Sequence, residues 1–172
     1  MSDYRRAYEQ GGCYFFTVVT DDRRARLTQP DIYQRLREAF RHVASSRPFR
    51  VDGMVVLPDH LHCIWQLPEM DSDFSTRWRL IKNFVSRGAK TALSDRGEKY
   101  VWQRRFWQHQ IRDERDWRRH MDYIFFNPVK RGYISRAVDW NFSSFENAVA
   151  TGWYEVSWGG AEPESIRGLD LG

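Results

Sequence analysis

Cysteine is scarce in this sequence, which has Cys13 and Cys63 as its two cysteines among 172 residues. Two widely separated cysteines form neither a disulfide framework nor a CxxC pair, so a secreted, disulfide-stapled fold is excluded. No apolar run approaches the roughly 20 residues that span a bilayer, and the opening residues lack the apolar stretch of a signal peptide. These absences predict a cytoplasmic protein with no membrane partner.

Lysine is also scarce, with 4 lysines against 23 arginines. Residues 1–136 carry 26 basic and 17 acidic side chains, a net charge of +9, whereas residues 137–172 carry a net charge of −5. Arginine favours bidentate phosphate contacts and stacks on bases. A basic body in a chain with 16% aromatic residues indicates a polyanionic partner, nucleic acid above all. Composition alone leaves a solvated arginine-rich surface equally open.

The apolar pattern predicts the element order β-α-β-β-α-β followed by one more helix. The predicted strands cover residues 13–20, 50–57, 60–67 and part of 101–111, and the predicted helices follow Pro30 and cover residues 75–94 and 114–127, the last ending at Pro128. This order is typical of an α+β, ferredoxin-like or RRM-like fold, with helices on the face of one antiparallel sheet. We predict a domain over residues 1–136, including an N-terminal arm, and an acidic extension over residues 137–172.

Two histidines share one predicted strand at positions i and i+2. Side chains alternate along a strand, so His60 and His62 lie on one face, where two imidazoles can bind one metal ion. The opposite face carries apolar residues suited to the core: Leu61, Cys63 and Trp65. A His-x-His pair by itself is more often a pair of partly exposed strand histidines than a metal site.

The last predicted helix places a tyrosine and an asparagine beside each other. Its core stripe consists of Trp117, Met121, Ile124 and Phe125. Tyr123 and Asn127 lie four residues apart and away from that stripe. Periodicity alone favours a packed tyrosine. Together with His60 and His62, however, these side chains can form one site with mixed nitrogen and oxygen ligands, which suits Mg²⁺ or Mn²⁺.

These residues resemble the motifs of a known superfamily. His60-Leu61-His62 resembles the HUH motif of single-strand endonucleases, and residues 123–132 (YIFFNPVKRG) resemble the tyrosine helix of its single-tyrosine transposases. Residues 102–107 and 111–114 resemble the segment that precedes this helix in those transposases. Arg5-Arg6 and residues 12–20 are similar to the REP-associated tyrosine transposases. The resemblance covers about residues 4–145.

The resemblance implies metal-dependent cleavage and rejoining of single-stranded DNA beside an imperfect palindromic hairpin. Tyr123 would be the nucleophile, forming a 5′-phosphotyrosine and releasing a 3′-OH. His60, His62 and Asn127 would hold Mg²⁺ or Mn²⁺, with Asn127 at a position where many insertion-sequence members have glutamine. The family includes dimers that share sites and a branch that acts as monomers, so monomer and homodimer stay open.

DNA contacts are expected from basic and aromatic side chains. The resemblance suggests that Arg5 and Arg6 read bases beside the hairpin. The candidates for phosphate contacts are Arg104, Arg105, Arg112, Arg118, Arg119, Lys130 and Arg131. Trp102, Trp107 or Tyr133 can stack on unpaired bases. We interpret His109 and His120 as structural or DNA-facing, not as metal ligands.

Two alternatives stay open at the level of the sequence. One is a non-catalytic single-stranded DNA or hairpin-binding module of the same fold. Another is a nickase of the same superfamily, against which the single candidate tyrosine argues. The acidic extension also has two interpretations. It either packs onto the domain with a frayed end, or it folds over the basic cleft and competes with DNA.

Overall fold

The computed structural model describes residues 11–93 and 101–172. The strands are β1 (Cys13–Val19), β2 (Arg50–Val56), β3 (His60–Gln66) and β4 (Trp107–Gln110). The helices are α1 (Pro30–Ser46), α2 (Phe74–Leu93), α3 (Glu114–Lys130) and α4 (Phe145–Ala150). Short 3-10 turns cover Asp21–Arg23, Ala137–Asp139 and Glu164–Ile166. The order confirms the predicted β-α-β-β-α-β pattern followed by the tyrosine-bearing helix.

The four strands form one sheet in the order β2-β3-β1-β4, and every neighbouring pair is antiparallel. This is the strand order of a ferredoxin-like fold, so the predicted α+β class is confirmed. The register of β2 against β3 shifts between Val51 and Gly53. A Cβ atom at Gly53 would lie 2.6 Å from Sδ of Met121, so glycine lets α3 lie close against β2.

The sheet is covered on both faces. One core packs α1 and α2 against the sheet through residues such as Phe16, Leu61 and Trp65. The second core packs α3 and residues 137–172 against the opposite face. The sequence predicted helices on the sheet, but the second layer comes from α3 together with the extension.

Helix α3 begins at a side-chain cap, because Oδ1 of Asp113 accepts the backbone N–H of Asp116 at 2.8 Å. The helix continues through Pro128 to Lys130, so the prediction that it ends before the proline was wrong. Proline lacks an N–H and costs most in the middle of a helix. Pro128 lies in the last turn, where the backbone N–H of Arg131 still bonds the carbonyl of Asn127 at 3.0 Å.

The extension packs against both α3 and β2. Phe145, Tyr154 and Ile166 are buried in the second core. Asp122 on α3 accepts hydrogen bonds at 2.7 Å from the hydroxyls of Tyr154 and Ser165. Helix α3 is therefore buried on both sides between His120 and Pro128, although its sequence periodicity predicted one apolar stripe. In the two described ranges, no helix has the length and apolar character needed to cross a membrane.

Candidate active site

The two strand histidines lie together on the face of the sheet that α3 covers. His60 and His62 are both fully buried, and their ring centroids are 4.8 Å apart. Leu61, Cys63 and Trp65 point into the opposite core, as the alternation along β3 predicted. The prediction that the two histidines share a face is therefore confirmed. The alternative of two partly exposed histidines is wrong, because both side chains are fully buried.

Each histidine is held through its Nδ1 atom. Oδ1 of Asp59 lies 2.6 Å from Nδ1 of His60, and Oγ1 of Thr17 lies 2.8 Å from Nδ1 of His62. Burial by itself raises the pKa of Asp59, but contacts with His60 and Arg23 outweigh it, so the pKa lies below its usual value and the carboxylate accepts. The Thr17 hydroxyl donates to the carbonyl of Leu171 at 3.1 Å, so it accepts from His62.

This arrangement leaves both Nε2 atoms with a free lone pair. Among the described residues, the buried Nε2 atoms of His60 and His62 have no hydrogen-bond partner. Burial lowers the pKa of His60 against the opposing effect of Asp59, and burial lowers the pKa of His62 well below its usual value. Both rings are therefore neutral at pH 7, which is the form that binds a metal ion. Two unpartnered, neutral imidazole nitrogens side by side fit a divalent cation.

Tyr123 on α3 lies edge-on against His62. Its ring centroid is 5.2 Å from that of His62 and 6.3 Å from that of Phe15, and the residue is 1% exposed. Burial raises the pKa of the phenol, while the backbone N–H of Leu171 opposes the shift. The phenol is therefore protonated at neutral pH. The fold brings together the three side chains that the sequence assigned to a nucleophile and two metal ligands.

Asn127 lies one turn after Tyr123, and its amide oxygen is already engaged. Nε of Arg131 donates to Oδ1 of Asn127 at 2.8 Å. The Nδ2 atom of Asn127 is buried and has no partner in the part of the chain that the structure describes. In this arrangement the guanidinium takes one of the two lone pairs of the oxygen that the family resemblance assigned to the metal.

Comparisons with known proteins agree with this geometry. A family model described as "Transposase IS200 like" matches residues 10–112. A REP-associated tyrosine transposase of Escherichia coli (strain K12) is 48% identical over 160 residues, which is 93% of this chain and 92% of that protein. A Haemophilus influenzae relative is 39% identical over 98% of this chain and 99% of its own length.

A solved structure matches the fold of most of the chain. It is a REP-associated tyrosine transposase bound to a REP hairpin, with 46% identity and a TM-score of 0.79 over 90% of this chain and 89% of that chain. The chain belongs to the REP-associated tyrosine transposases. The family resemblance read from the histidine pair and the tyrosine helix is confirmed.

Residues 164–172 lie beside the Tyr123 hydroxyl. We call residues 164–172 the covering segment. The backbone N–H of Leu171 donates to the Tyr123 hydroxyl at 2.9 Å, and that hydroxyl lies 3.5 Å from Oδ1 of Asp170. The prediction of a frayed end is therefore wrong, because the segment packs on Tyr123 itself. The extension packs against α3, as the first interpretation of it predicted, and residues 164–172 lie over basic side chains of α3, as the second predicted. Competition with DNA stays a prediction.

Several side chains predicted to bind phosphate contact the covering segment in this structure, and their phosphate contacts stay predictions. Arg119 donates to the carbonyl of Ser165 at 3.0 Å, Lys130 to that of Leu169 and Arg131 to that of Gly172, the last two at 2.5 Å. Arg118 donates to the carbonyl of Trp153. Three other candidates are exposed to solvent: Arg104, Arg105 and Arg112. Arg5 and Arg6 lie outside the described residues.

A second group of ligand-type side chains was missed by the sequence analysis. His109, Asp116 and His120 have potential ligand atoms within 4.8 Å of one another, so they are capable of holding a metal ion. Nε2 of His109 lies 2.8 Å from Asp116, and Nδ1 of His120 lies 3.2 Å from the same carboxylate. The i, i+4 spacing of Asp116 and His120 was visible in the sequence. The position of His109 on β4 next to these two residues of α3 was not.

Proposed function

We propose that this transposase cleaves and rejoins single-stranded DNA beside hairpins formed by palindromic repeats, with Tyr123 as nucleophile. One observation carries the proposal. The Tyr123 ring lies against His62, which in turn contacts His60, and the neutral Nε2 atoms of both histidines have no partner among the described residues. The preference for hairpin DNA is supported by the relative that was solved bound to a REP hairpin.

The chemistry is a transesterification at phosphorus. The Tyr123 oxygen attacks the phosphodiester, the new oxygen–phosphorus bond forms, and the bond to the 3′ oxygen breaks. The phenol loses its proton and the leaving 3′ oxygen gains one, so a 5′-phosphotyrosine and a free 3′-OH result. Attack by a 3′-OH reverses the step and joins strands. No nucleotide cofactor is needed, because the phosphotyrosine bond keeps the energy of the phosphodiester.

His60 and His62 would hold a divalent cation through Nε2, and we propose Mg²⁺ or Mn²⁺. A cation bound there would polarise the phosphodiester and stabilise charge on the leaving oxygen. Asn127 would supply an oxygen ligand through the lone pair that Arg131 does not take. Asp59 and Thr17 keep the two rings in the tautomer that offers Nε2.

Basic side chains near the site would contact the DNA backbone. Arg119, Lys130 and Arg131 become available when the covering segment leaves, and Arg104, Arg105 and Arg112 are already exposed. Arg5 and Arg6 stay predictions for base contacts. Phosphate contacts of this kind weaken as the salt concentration rises.

The proposal is tested with labelled single-stranded oligonucleotides that contain repeat hairpins from beside the gene. We expect a protein–DNA adduct on a denaturing gel with Mg²⁺ or Mn²⁺ and none with a chelator. Peptide mapping by mass spectrometry is expected to place the nucleotide on Tyr123. An adduct on a different residue would refute the assignment of the nucleophile. Tight hairpin binding without any adduct in either metal would instead identify a non-catalytic DNA-binding module.

Replacing Asp59 tests the metal assignment. Asparagine at this position still accepts from Nδ1 of His60 but carries no charge, so we expect Asp59→Asn to weaken Mn²⁺ affinity about 10- to 100-fold. The measurement is calorimetric titration of Mn²⁺ into chelator-stripped protein. Asp139→Asn is the matched control, because Asp139 forms an exposed ion pair with Arg136 on a remote turn. Equal affinities for wild type and Asp59→Asn would contradict the role given to His60.

A further inference from the structure

A groove on the α3 face runs from the edge of the sheet to the covering segment. Its cavity volume is about 710 Å³, in the range of small-molecule binding sites. Trp107 and His109 of β4 line one side, and Leu169 and Leu171 of the covering segment line the other. Leu171 bonds the Tyr123 hydroxyl, so this groove ends beside the nucleophile.

The charge of the groove favours an anion. The arginines that line it are Arg112, Arg115, Arg118, Arg119 and Arg167. Three acidic residues also line it, and the structure gives each of them a partner: Asp113 caps α3, Asp116 is bonded by His109, and Glu164 lies 3.8 Å from Arg167. An excess of arginine disfavours a bare cation at the nearby histidines and favours phosphate.

Three parallel rings form the side of the groove on the sheet. The Trp107 and His109 rings are 6° from parallel with centroids 6.1 Å apart, and the His109 and His120 rings are 13° from parallel at 4.7 Å. Asp116 fixes both imidazoles. Its carboxylate accepts from Nε2 of His109 at 2.8 Å, and its backbone carbonyl lies 2.8 Å from Nδ1 of His120. Trp107 ends the stack and is 46% exposed.

Strand register places the exposed indole in line with the active site. Thr17 on β1 pairs with His62 on one side and with Trp107 on the other. Adjacent strands are about 4.8 Å apart, so Trp107 lies about 10 Å from His62 along this row. The other aromatic candidates are placed differently. Trp102 is buried, and the exposed Tyr133 stacks on Trp140 outside the groove.

We propose that Trp107 is a stacking platform for one unpaired base of the DNA strand that is cleaved, with the groove arginines contacting its phosphates. The inference rests on the proposed function, since it names the site that holds the strand next to Tyr123. The histidine pair behind Trp107 stiffens the platform. Stacking on a free indole face suits any base, so the contact contributes affinity and position and not sequence choice.

The test is a scan of abasic sites across the unpaired flank of a hairpin oligonucleotide, read by fluorescence anisotropy in chelator so that no cleavage occurs. We expect one abasic position to weaken binding to wild type by about 5- to 150-fold. Trp107→Ala is expected to lose a similar factor and to become insensitive to that abasic position. Trp107→Phe is expected to keep most of the affinity and the sensitivity.

Tyr133→Ala is the matched control, because Tyr133 is 48% exposed and lies outside the groove. Its effect is expected to add to that of every abasic site. The proposal would be overturned if the loss of affinity from Trp107→Ala simply added to the loss from the abasic site at every position of the flank. It would also be overturned if the wild-type protein did not bind the flank. The two proposals can fail separately. An adduct on Tyr123, with no loss of abasic-site sensitivity in Trp107→Ala, would refute the base site and leave the proposed function intact. Loss of that sensitivity without any adduct would support the base site and refute cleavage. Circular dichroism checks that each variant is folded.

Discussion

A chain that ends at Gly168 is expected to form the DNA adduct faster than the full chain. Removing residues 169–172 deletes the contacts that the covering segment makes with Tyr123, Thr17, Lys130 and Arg131. A net hydrogen bond contributes about 0.5–1.5 kcal/mol, so four partly exposed ones at the low end hold the segment by about 2 kcal/mol, or about 30-fold. We expect a rate increase of about 30-fold.

The reason is a pre-equilibrium. The scissile phosphate has to reach an oxygen that now accepts the N–H of Leu171, so the segment must leave before attack. Departure also frees Arg131 from Gly172, and Arg131 in turn bonds the oxygen of Asn127. A ligand that binds only the open state has its apparent affinity reduced by the fraction of chain that is open. Hairpin affinity is therefore expected to rise together with rate.

The measurement is single-turnover adduct formation at saturating metal, beside thermal unfolding to confirm that the shortened chain is folded. Leu171→Pro keeps the length and charge of the segment but removes the N–H that Tyr123 accepts. This variant is expected to give an intermediate increase. Rates equal to wild type in both folded variants would show that the covering segment does not limit access to the tyrosine.

The sequence predicted the parts of the site that short-range patterns control. Alternation along β3 is enough to place His60 and His62 on one face, and a run of apolar residues with helical spacing is enough to predict α3. The bond between Arg131 and Asn127 joins residues four apart on one helix, so it was also within reach of helical spacing. The order of elements then favoured the ferredoxin-like sheet.

Long-range contacts account for what the sequence did not show. Residues 164–172 have no periodicity, and their position on Tyr123 depends on how α4 and the turns after it pack on α3. The burial of α3 on both sides has the same origin. The row that joins His62, Thr17 and Trp107 requires the register of three strands, two of which are far apart in the chain.

Tyr123→Phe is expected to abolish the adduct completely while the protein still binds hairpin DNA. Phenylalanine keeps the ring that packs against His62 and Phe15, so the fold and the histidine pair are preserved. It lacks the oxygen that attacks phosphorus in the proposed mechanism. The assay is the denaturing gel with Mn²⁺, read over times at which wild type has reacted fully.

The same substitution removes the acceptor for Leu171 and the donor that faces Asp170. The covering segment is therefore held less tightly, and hairpin affinity is expected to equal or exceed that of wild type. This combination of lost chemistry and retained binding separates a nucleophile from a residue that merely supports the fold. Tyr133→Phe, which alters an exposed phenol stacked on Trp140, is the control and is expected to react as wild type does. A persistent adduct in Tyr123→Phe would assign the nucleophile elsewhere, whereas loss of both binding and adduct would point to a structural role.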